Sequence, residues 1–298
     1  MGEVKYFEVQ DYLNDKILTD KQLHNECKKL IDYANKVNDN KTSFVGNKLL
    51  YHFQFLNLMK CKTNKNISFY DLITNENNKE KYDKHYQDTL KRNRTGTMTN
   101  RIYEAYRINK GSIVFFKASQ AIYLYKKYGG KKILDFTMGW GGRMLGAWAL
   151  GIDYIGIDTN INMKEAYDGM IKLLKDYDKM IGRKSPTITI IWGSCLNVDY
   201  SNLDYDMVLT SPPYVNLEVY ECMEIWRDKN DFYTNFMKPI FNKVYDNFNG
   251  VFCLNISPQM FKDFNNYITI KPNEEIDLKQ QLGKAQKKAK DMIYIYKK

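Results

Sequence analysis

Cysteine and histidine are scarce in this chain of 298 residues. Its five cysteines are odd in number and widely scattered, and no two of them form a CxxC pair. That pattern argues against a disulfide framework and against a zinc site. The three histidines, His24, His52 and His85, all lie in the N-terminal part of the chain, so we expect neither a metal nor a histidine-based mechanism in the rest.

Long hydrophobic runs are missing as well. No apolar segment approaches the ~20 residues of a membrane-spanning helix, and residues 1–5 lack the basic and then apolar pattern of a signal peptide. We therefore expect a soluble, intracellular protein without a membrane partner. With 44% hydrophobic and 27% charged residues, the chain can form one large domain and a smaller one.

Positive charge is in excess, and the formal net charge of +10 favours a polyanionic partner. The excess is concentrated in residues 81–110, which carry eight basic and three acidic side chains. Lys91, Arg92, Arg94 and Arg101 lie there among asparagine and threonine residues, which suit phosphates and base edges, and we predict that these four residues bind DNA. The alternative is a solvated linker with no partner.

A strand, a glycine-rich turn and a helix are predicted in the middle of the chain. The apolar residues 131–136 indicate the strand, residues 139–143 (GWGGR) the turn, and residues 144–150 the helix. Glycines let the backbone approach a ligand closely, and a helix N-terminus offers free N–H groups to an anion. Such units serve dinucleotides, phosphates and plain packing alike. Arg143, at the end of the turn, has two open interpretations, contact with a carboxylate or with solvent.

Asp158 stands towards the carboxyl end of a second predicted strand, residues 154–160, and follows Asp135 by 23 residues. This spacing suits one β-α-β step, and an acid at this position holds a ribose diol in doubly wound sheets. Two further apolar strands are predicted at residues 187–192 and 205–209. Because ligands of open α/β sheets bind outside the carboxyl ends of the strands, we expect the four strand ends to meet at one crevice.

The fourth strand leads directly into residues 210–214, Thr-Ser-Pro-Pro-Tyr. Two consecutive prolines stiffen the backbone and leave only carbonyl acceptors there. An amine held by the Ser211 hydroxyl oxygen and the Pro212 carbonyl has both hydrogens accepted, which turns its lone pair towards an electrophile. Tyr214 can stack on the ring that bears the amine. An ordinary turn followed by a core tyrosine is the alternative.

In this order, the glycine turn, Asp158 and the Ser-Pro-Pro-Tyr string resemble the S-adenosylmethionine-dependent DNA methyltransferases that form N6-methyladenine or N4-methylcytosine. The resemblance covers residues 113–260, and the glycine turn is similar to that of methylases from phages and large DNA viruses, which implies a location in the cytoplasm or at the replication site of a virus or phage in its host. It implies a class I methyltransferase fold, which is a Rossmann-like, doubly wound, mostly parallel α/β sheet. It also implies S-adenosylmethionine as the cofactor, S-adenosylhomocysteine as the product, and no metal.

The resemblance assigns roles to individual residues. It gives the catalytic role to Ser211, Pro212, Pro213 and Tyr214. The cofactor-binding residues that it implies lie at the strand ends and in a motif before the first strand: Phe116, Lys117, Asp135, Phe136, Thr137, Gly139, Gly141, Asp158, Thr159, Ser194 and Cys195. In the motif before the first strand, alanine follows Lys117 where the family often has proline.

The resemblance also predicts two regions. Residues 113–298 form the catalytic domain, and residues 1–112 form a mainly helical region that is the candidate for DNA target recognition. The helices expected in the N-terminal region are residues 8–36 and 44–60. The elements expected after the catalytic motif are a helix at 231–247, a strand at 251–256, and an antiparallel pair of strands at 268–270 and 292–296.

We therefore expect a site-specific DNA methyltransferase, monomeric or homodimeric, that modifies the exocyclic amine of a base flipped out of double-stranded DNA, with or without a cognate restriction endonuclease. Serine before the prolines is commoner among N4-cytosine enzymes, but adenine enzymes have it too, so the base stays open. Glu218, Tyr220 and Glu221 lie on a loop that could close over the base or simply face solvent. The alternatives are methylation of an amine or amide in RNA or protein, and a non-catalytic DNA-binding relic.

Overall fold

The N-terminal region is helical, as predicted. The computed structural model of the protein describes residues 4–39, 42–63, 67–92, 95–110, 113–215, 218–219, 222, 225–278 and 291–298. The first elements in these ranges are α1 (Val9–Asn14), α2 (Asp20–Lys36), α3 (Asn47–Lys60), β1 (Lys62–Thr63), α4 (Phe69–Thr74), α5 (Lys79–Lys91) and α6 (Met98–Lys110).

The single helix predicted at residues 8–36 is wrong, because two helices occupy that range. Thr19 ends the connection between them and begins α2 with a capping box: its backbone N–H donates to the Gln22 side chain at 2.8 Å, and its hydroxyl accepts from the Gln22 backbone N–H. These bonds satisfy donors that a helix N-terminus leaves free, so they favour a new helix start there. The helix predicted at 44–60 is confirmed as α3, which begins after Gly46.

The second half of the chain alternates strands and helices. Its elements are α7 (Ala118–Tyr128), β2 (Lys132–Asp135), α8 (Gly142–Leu150), β3 (Asp153–Asp158), α9 (Lys164–Met180), β4 (Ile188–Trp192), β5 (Met207–Thr210), β6 (Glu218–Val219), α10 (Lys229–Phe232), a π-helical turn (Tyr233–Met237), α11 (Lys238–Asn247), β7 (Val251–Ile256), α12 (Pro258–Phe264), β8 (Glu274–Leu278) and β9 (Asp291–Lys297).

Seven of the described strands form one sheet in the order β4-β3-β2-β5-β7-β9-β8. The first five are parallel, and β9 runs antiparallel to both β7 and β8. The chain moves outward from β2 to β4 and then crosses to β5 on the other side of β2, so the strand order reverses between β2 and β5. This is the doubly wound, Rossmann-like sheet of the class I methyltransferase fold, and the predicted fold class is confirmed.

The antiparallel pair of late strands is confirmed, but one of its predicted ranges is wrong. Residues 292–296 lie in β9, whereas its partner is β8 and not residues 268–270. In β8 the buried Ile276 and Leu278 alternate with exposed acids, which is the period of a half-buried edge strand. Ile268 is buried instead against the cluster beneath α11.

Hydrophobic clusters cover both faces of the sheet. One cluster joins the N-terminal helices to the sheet, because Leu30 of α2 and Leu50 of α3 lie in it together with Trp148 of α8. The other contains the buried faces of α11 and α12. The division of the chain at residues 112 and 113 stays a prediction, since residues 111–112 lie outside the described ranges. None of the described helices has the length and hydropathy that crossing a membrane requires.

Candidate active site

A cavity of about 480 Å³ lies where the carboxyl ends of β2, β3, β4 and β5 meet. Its volume is in the range of pockets that hold cofactor-sized molecules. Nine of the predicted cofactor-binding residues and all four predicted catalytic residues line it: Phe116, Lys117, Phe136, Thr137, Gly139, Asp158, Thr159, Ser194, Cys195, Ser211, Pro212, Pro213 and Tyr214. The expected convergence of the four strand ends is therefore present.

Asp135 lies behind this cavity and not in its lining. Its side chain is 0% exposed, and its Oδ2 accepts from Arg143 Nε and from the Tyr154 hydroxyl, both at 2.6 Å. Arg143 also donates to the Thr137 carbonyl. Of the two interpretations of Arg143, contact with a carboxylate is the one found. The buried ion pair thus supports the glycine turn from beneath.

The glycines of the turn allow a close backbone contact and two positive φ angles. A Cβ on Gly142 would lie 1.9 Å from the Phe116 carbonyl oxygen, so only glycine lets that segment pass over the start of α8. Gly139 and Gly141 have φ of 56° and 97°, a region that other residues rarely adopt. Gly141 is the residue that precedes α8 and, like Asp135, it stands outside the cavity lining, with Tyr167 and Met170 beside it.

Asp158, the last residue of β3, links that strand to the glycine turn. Its Oδ2 accepts from the Gly139 backbone N–H at 3.0 Å, and its Oδ1 accepts from the Asn160 backbone N–H at 2.9 Å. Burial raises the pKa of the Asp158 carboxyl, although these two N–H groups act in the opposite direction. Each carboxylate oxygen keeps further acceptor capacity towards the cavity, which suits a diol.

The predicted catalytic residues follow β5 at the reversal of strand order. Thr210, the last residue of β5, is joined to Thr137 after β2 by a hydroxyl–hydroxyl contact of 2.7 Å. Ser211 donates its hydroxyl to Asn255 Oδ1 at 2.9 Å. Residues 211–214, which we call the clamp, are therefore tied to the strands on both sides of β5, which holds their acceptors in place relative to the cavity.

Sequence reasoning missed several residues that line the cavity. Trp226 and Phe236 form part of an apolar wall, with ring centroids 5.2 Å apart. The periodicity of residues 231–247 predicted only a packed helix that contains Phe236, and Trp226 precedes that helix, so nothing local pointed to the site. Asn255 did carry a signal, because it is a single amide within the apolar strand β7, where a buried polar group needs a reason.

Two buried polar atoms of the lining have no hydrogen-bond partner among the described residues: Gln120 Nε2 and Asn160 Oδ1. Both side chains are 7% exposed. One is a donor and the other an acceptor, and an unpaired buried polar group costs about 1–3 kcal/mol. Both side chains line the cavity, so rotating either amide would present it to a polar ligand there.

The predicted DNA-binding residues are placed in part. Lys91 ends α5 and is exposed, Arg92 follows it, and Arg94 lies outside the described residues. Arg101 donates to the backbone carbonyls of Thr89 and Arg92 at 3.0 and 3.3 Å, so its guanidinium joins α6 to the end of α5.

The loop after the clamp is described only in part. Glu218 lies in β6, which pairs antiparallel with β1 of the N-terminal region. Tyr220 and Glu221 fall outside the described ranges.

In the residues that are described, no group of three or more histidine, cysteine, aspartate or glutamate side chains could hold a metal ion.

No family model and no curated protein matches the chain, whereas solved structures are similar to part of it. TehB from Haemophilus influenzae has 15% identity and a TM-score of 0.38 over 65% of this chain and 66% of its own. An rRNA methylase from Streptococcus thermophilus has 11% identity and 0.36 over 62% and 99%. A TehB-like SAM-dependent methyltransferase from Corynebacterium glutamicum has 12% and 0.39 over 72% and 99%. Identities and TM-scores this low carry no argument about either fold or substrate. The fold assignment therefore rests on the strand order of the sheet.

Proposed function

We propose that the protein is an S-adenosylmethionine-dependent methyltransferase that modifies the exocyclic amine of a base in DNA, either N6 of adenine or N4 of cytosine. One observation carries the proposal. The Ser-Pro-Pro-Tyr clamp after β5 lines the same cavity as Asp158 at the end of β3 and the glycine turn after β2. A methyl donor and the amine that accepts the methyl group can therefore be held next to each other.

The lining fits S-adenosylmethionine. In the proposed arrangement Asp158 accepts hydrogen bonds from the ribose diol, and Ser194 and Cys195 lie beside the adenine. The unpaired Gln120 Nε2 suits the carboxylate of the methionine moiety, and the unpaired Asn160 Oδ1 suits a hydroxyl or amine donor. When bound there, the cofactor supplies a methyl group on a positively charged sulfur.

The residues of the clamp act on the base. Ser211 and the Pro212 carbonyl accept the two hydrogens of the amine, so that its nitrogen lone pair faces the methyl group. Tyr214 stacks on the ring of a base that has been flipped out of the duplex. The apolar wall of Trp226 and Phe236 keeps water away. Positioning and fixed dipoles then supply most of the rate, and no covalent intermediate with the protein is needed.

Charge supports a nucleic acid as the polymer, which we propose to be DNA. The net charge of +10 favours binding to phosphates, and the exposed Lys91 belongs to the basic stretch between residues 81 and 110. We assign target recognition to the helical region of residues 1–112. Its strand β1 pairs with β6, the strand that follows the clamp, so DNA contacts in this region can reach the loop beside the base.

The test is expression in a methylation-deficient host, followed by sequencing of native genomic DNA for modified bases. A modified motif is expected with the wild-type protein and not with Ser211→Ala, since loss of one positioned polar group at a reacting centre costs about 100-fold or more in rate. Tyr214→Phe should retain activity because the ring remains, whereas Tyr214→Ala should lose it.

Cofactor affinity provides the control for these variants. Ser211→Ala and Tyr214→Ala should bind S-adenosylhomocysteine, measured by calorimetry, nearly as tightly as the wild-type protein. The exposed Ser201 offers a matched serine, and Ser201→Ala should leave both methylation and affinity unchanged. Unmodified DNA together with intact cofactor binding would contradict the DNA assignment, and label transfer from the cofactor to RNA or protein would then identify the polymer.

A further inference from the structure

Asn255 is a buried amide in direct contact with the clamp. It is 4% exposed, lies in the parallel strand next to β5, and faces the cavity. The register of these two strands pairs Thr210 with Leu254, so the next residues along, Ser211 and Asn255, are neighbours. The Ser211 hydroxyl donates to Asn255 Oδ1 at 2.9 Å.

The orientation of the Asn255 amide is fixed from its other side. Its Nδ2 donates to the backbone carbonyl of Met292 in β9 at 3.0 Å. A backbone carbonyl can only accept, so the NH2 group must face Met292 and the oxygen must face Ser211. Flipping the amide would bring two oxygens together at Met292 and leave both without a hydrogen.

This orientation determines what the Ser211 hydroxyl can do. An amide oxygen has no hydrogen to give, so the single hydroxyl proton of Ser211 is committed to Asn255. Only the lone pairs of the Ser211 oxygen are left for a ligand in the cavity. A hydroxyl that usually serves as either donor or acceptor is thereby converted into an acceptor.

We propose that Asn255 is a positioning residue that makes Ser211 a pure acceptor and so makes the clamp select an amino group over a carbonyl at the reacting position. The inference rests on the proposed function, since it concerns the same clamp. It extends that function to specificity. In a base that carries a carbonyl at this position, such as hypoxanthine or uracil, the lone pairs of the carbonyl oxygen would face those of the Ser211 oxygen, and the base would be rejected.

The experiment measures binding of isolated bases, so that it does not depend on which polymer is methylated. The protein is saturated with S-adenosylhomocysteine, and dissociation constants are measured by NMR titration for 9-ethyladenine and 9-ethylhypoxanthine, and for 1-methylcytosine and 1-methyluracil. In at least one pair the amine-bearing base should bind the wild-type protein about tenfold more tightly. In Asn255→Leu the Ser211 hydroxyl is free to rotate and donate, and this preference should fall about tenfold.

Three variants separate positioning from stability. Asn255→Asp still offers Ser211 an acceptor and should retain the preference, even if it destabilises the protein as much as leucine does. Adding Asn255→Leu to Ser211→Ala should change the preference no further, because Asn255 acts through Ser211. Asn78 is a matched control elsewhere in the chain, since its Nδ2 also donates to a backbone carbonyl at 3.0 Å and its Oδ1 also accepts from a side chain. Asn78→Leu should leave the preference unchanged.

Each remaining result contradicts the inference. A wild-type protein with no preference in either pair, including one that binds none of the four bases, would overturn it. So would an Asn255→Leu protein with the wild-type preference, or an effect of that change that persists without the Ser211 hydroxyl. The proposed function fails separately, when genomic DNA stays unmodified while the bases show the expected preference.

Discussion

Replacing Tyr154 by phenylalanine tests whether the hydrogen bond from its hydroxyl to Asp135, the acid of the buried ion pair beneath the glycine turn, stabilises the fold. Tyr154 is 1% exposed, and its hydroxyl donates to Asp135 Oδ2 at 2.6 Å. The change removes that one hydroxyl and leaves the ring in place. The other carboxylate oxygen, Asp135 Oδ1, already lacks a partner among the described residues, so Arg143 would be left as the only donor to this carboxylate that the structure describes.

The expected cost follows from the charge of the acceptor. A hydrogen bond to an ionised group contributes about 1.5–3 kcal/mol, and the loss should lie in the upper part of this range because Asp135 is 0% exposed and cannot recruit water without a rearrangement. With a urea dependence of about 3 kcal/mol per molar, a loss in this upper part should lower the unfolding midpoint by roughly 0.7–1 M. Equilibrium unfolding in urea, followed by circular dichroism, measures the midpoint.

Tyr296 provides a matched control within the same sheet. It is also 1% exposed, but its buried hydroxyl has no hydrogen-bond partner in the described part of the chain. Tyr296→Phe therefore removes a desolvated group without breaking a bond, and the midpoint should stay the same or rise. Equal midpoints for the two variants would refute the reasoning, since both lose one buried hydroxyl and differ only in the Asp135 bond.

Two further predictions concern the cofactor end of the cavity. Asp158→Ala should weaken S-adenosylhomocysteine binding about tenfold or more. Burial raises the pKa of Asp158, so wild-type affinity should fall as the pH drops from about 7 to 4, whereas Asp158→Ala should show a flatter profile by calorimetry. In the cofactor-free protein the same raised pKa gives a stabilising contribution at low pH that is lost as the pH rises through the folded-state pKa. Gly142→Ala should destabilise the protein by about 1–3 kcal/mol and weaken cofactor binding, because its Cβ would lie 1.9 Å from the Phe116 carbonyl oxygen. Gly182→Ala is the control: a Cβ there would meet nothing within 4 Å, so the change should cost only the strain of a positive φ. Thermal unfolding measures the stability of both variants.

The strands that form the cavity were predictable because their patterns are local. β5 is buried at every position, and a central parallel strand must be apolar on both faces, so a continuous apolar run identifies it. Asp158 was predictable for a related reason, since the distance from one strand end to the next is set by the length of a β-α-β unit. Both features depend on residues that are close together in the sequence.

Predictions failed where long-range packing decides. Residues 268–270 are as apolar as an edge strand, but Ile268 packs in the core. The strand that pairs with β9 at the edge of the sheet is β8, whose Ile276 is buried instead. The structure places Asp135 at the end of the first strand, as expected, yet turns its carboxylate towards Arg143 and Tyr154. An acid at a strand end can face the ligand or the core, and the position of a cationic partner in the folded protein determines which of these occurs.

The contact between Ser211 and Asn255 shows what kind of information would have predicted it. The two residues are separated by 44 positions, and no spacing rule links them. Their pairing follows from two facts together, that β5 and β7 are adjacent and parallel, and that Thr210 is level with Leu254. The sequence does mark one partner, because an asparagine inside an apolar strand must satisfy its amide within the fold. Once the strand order is known, the acceptor at Met292 and the donor at Ser211 follow, and with them the direction of the hydroxyl that faces the cavity.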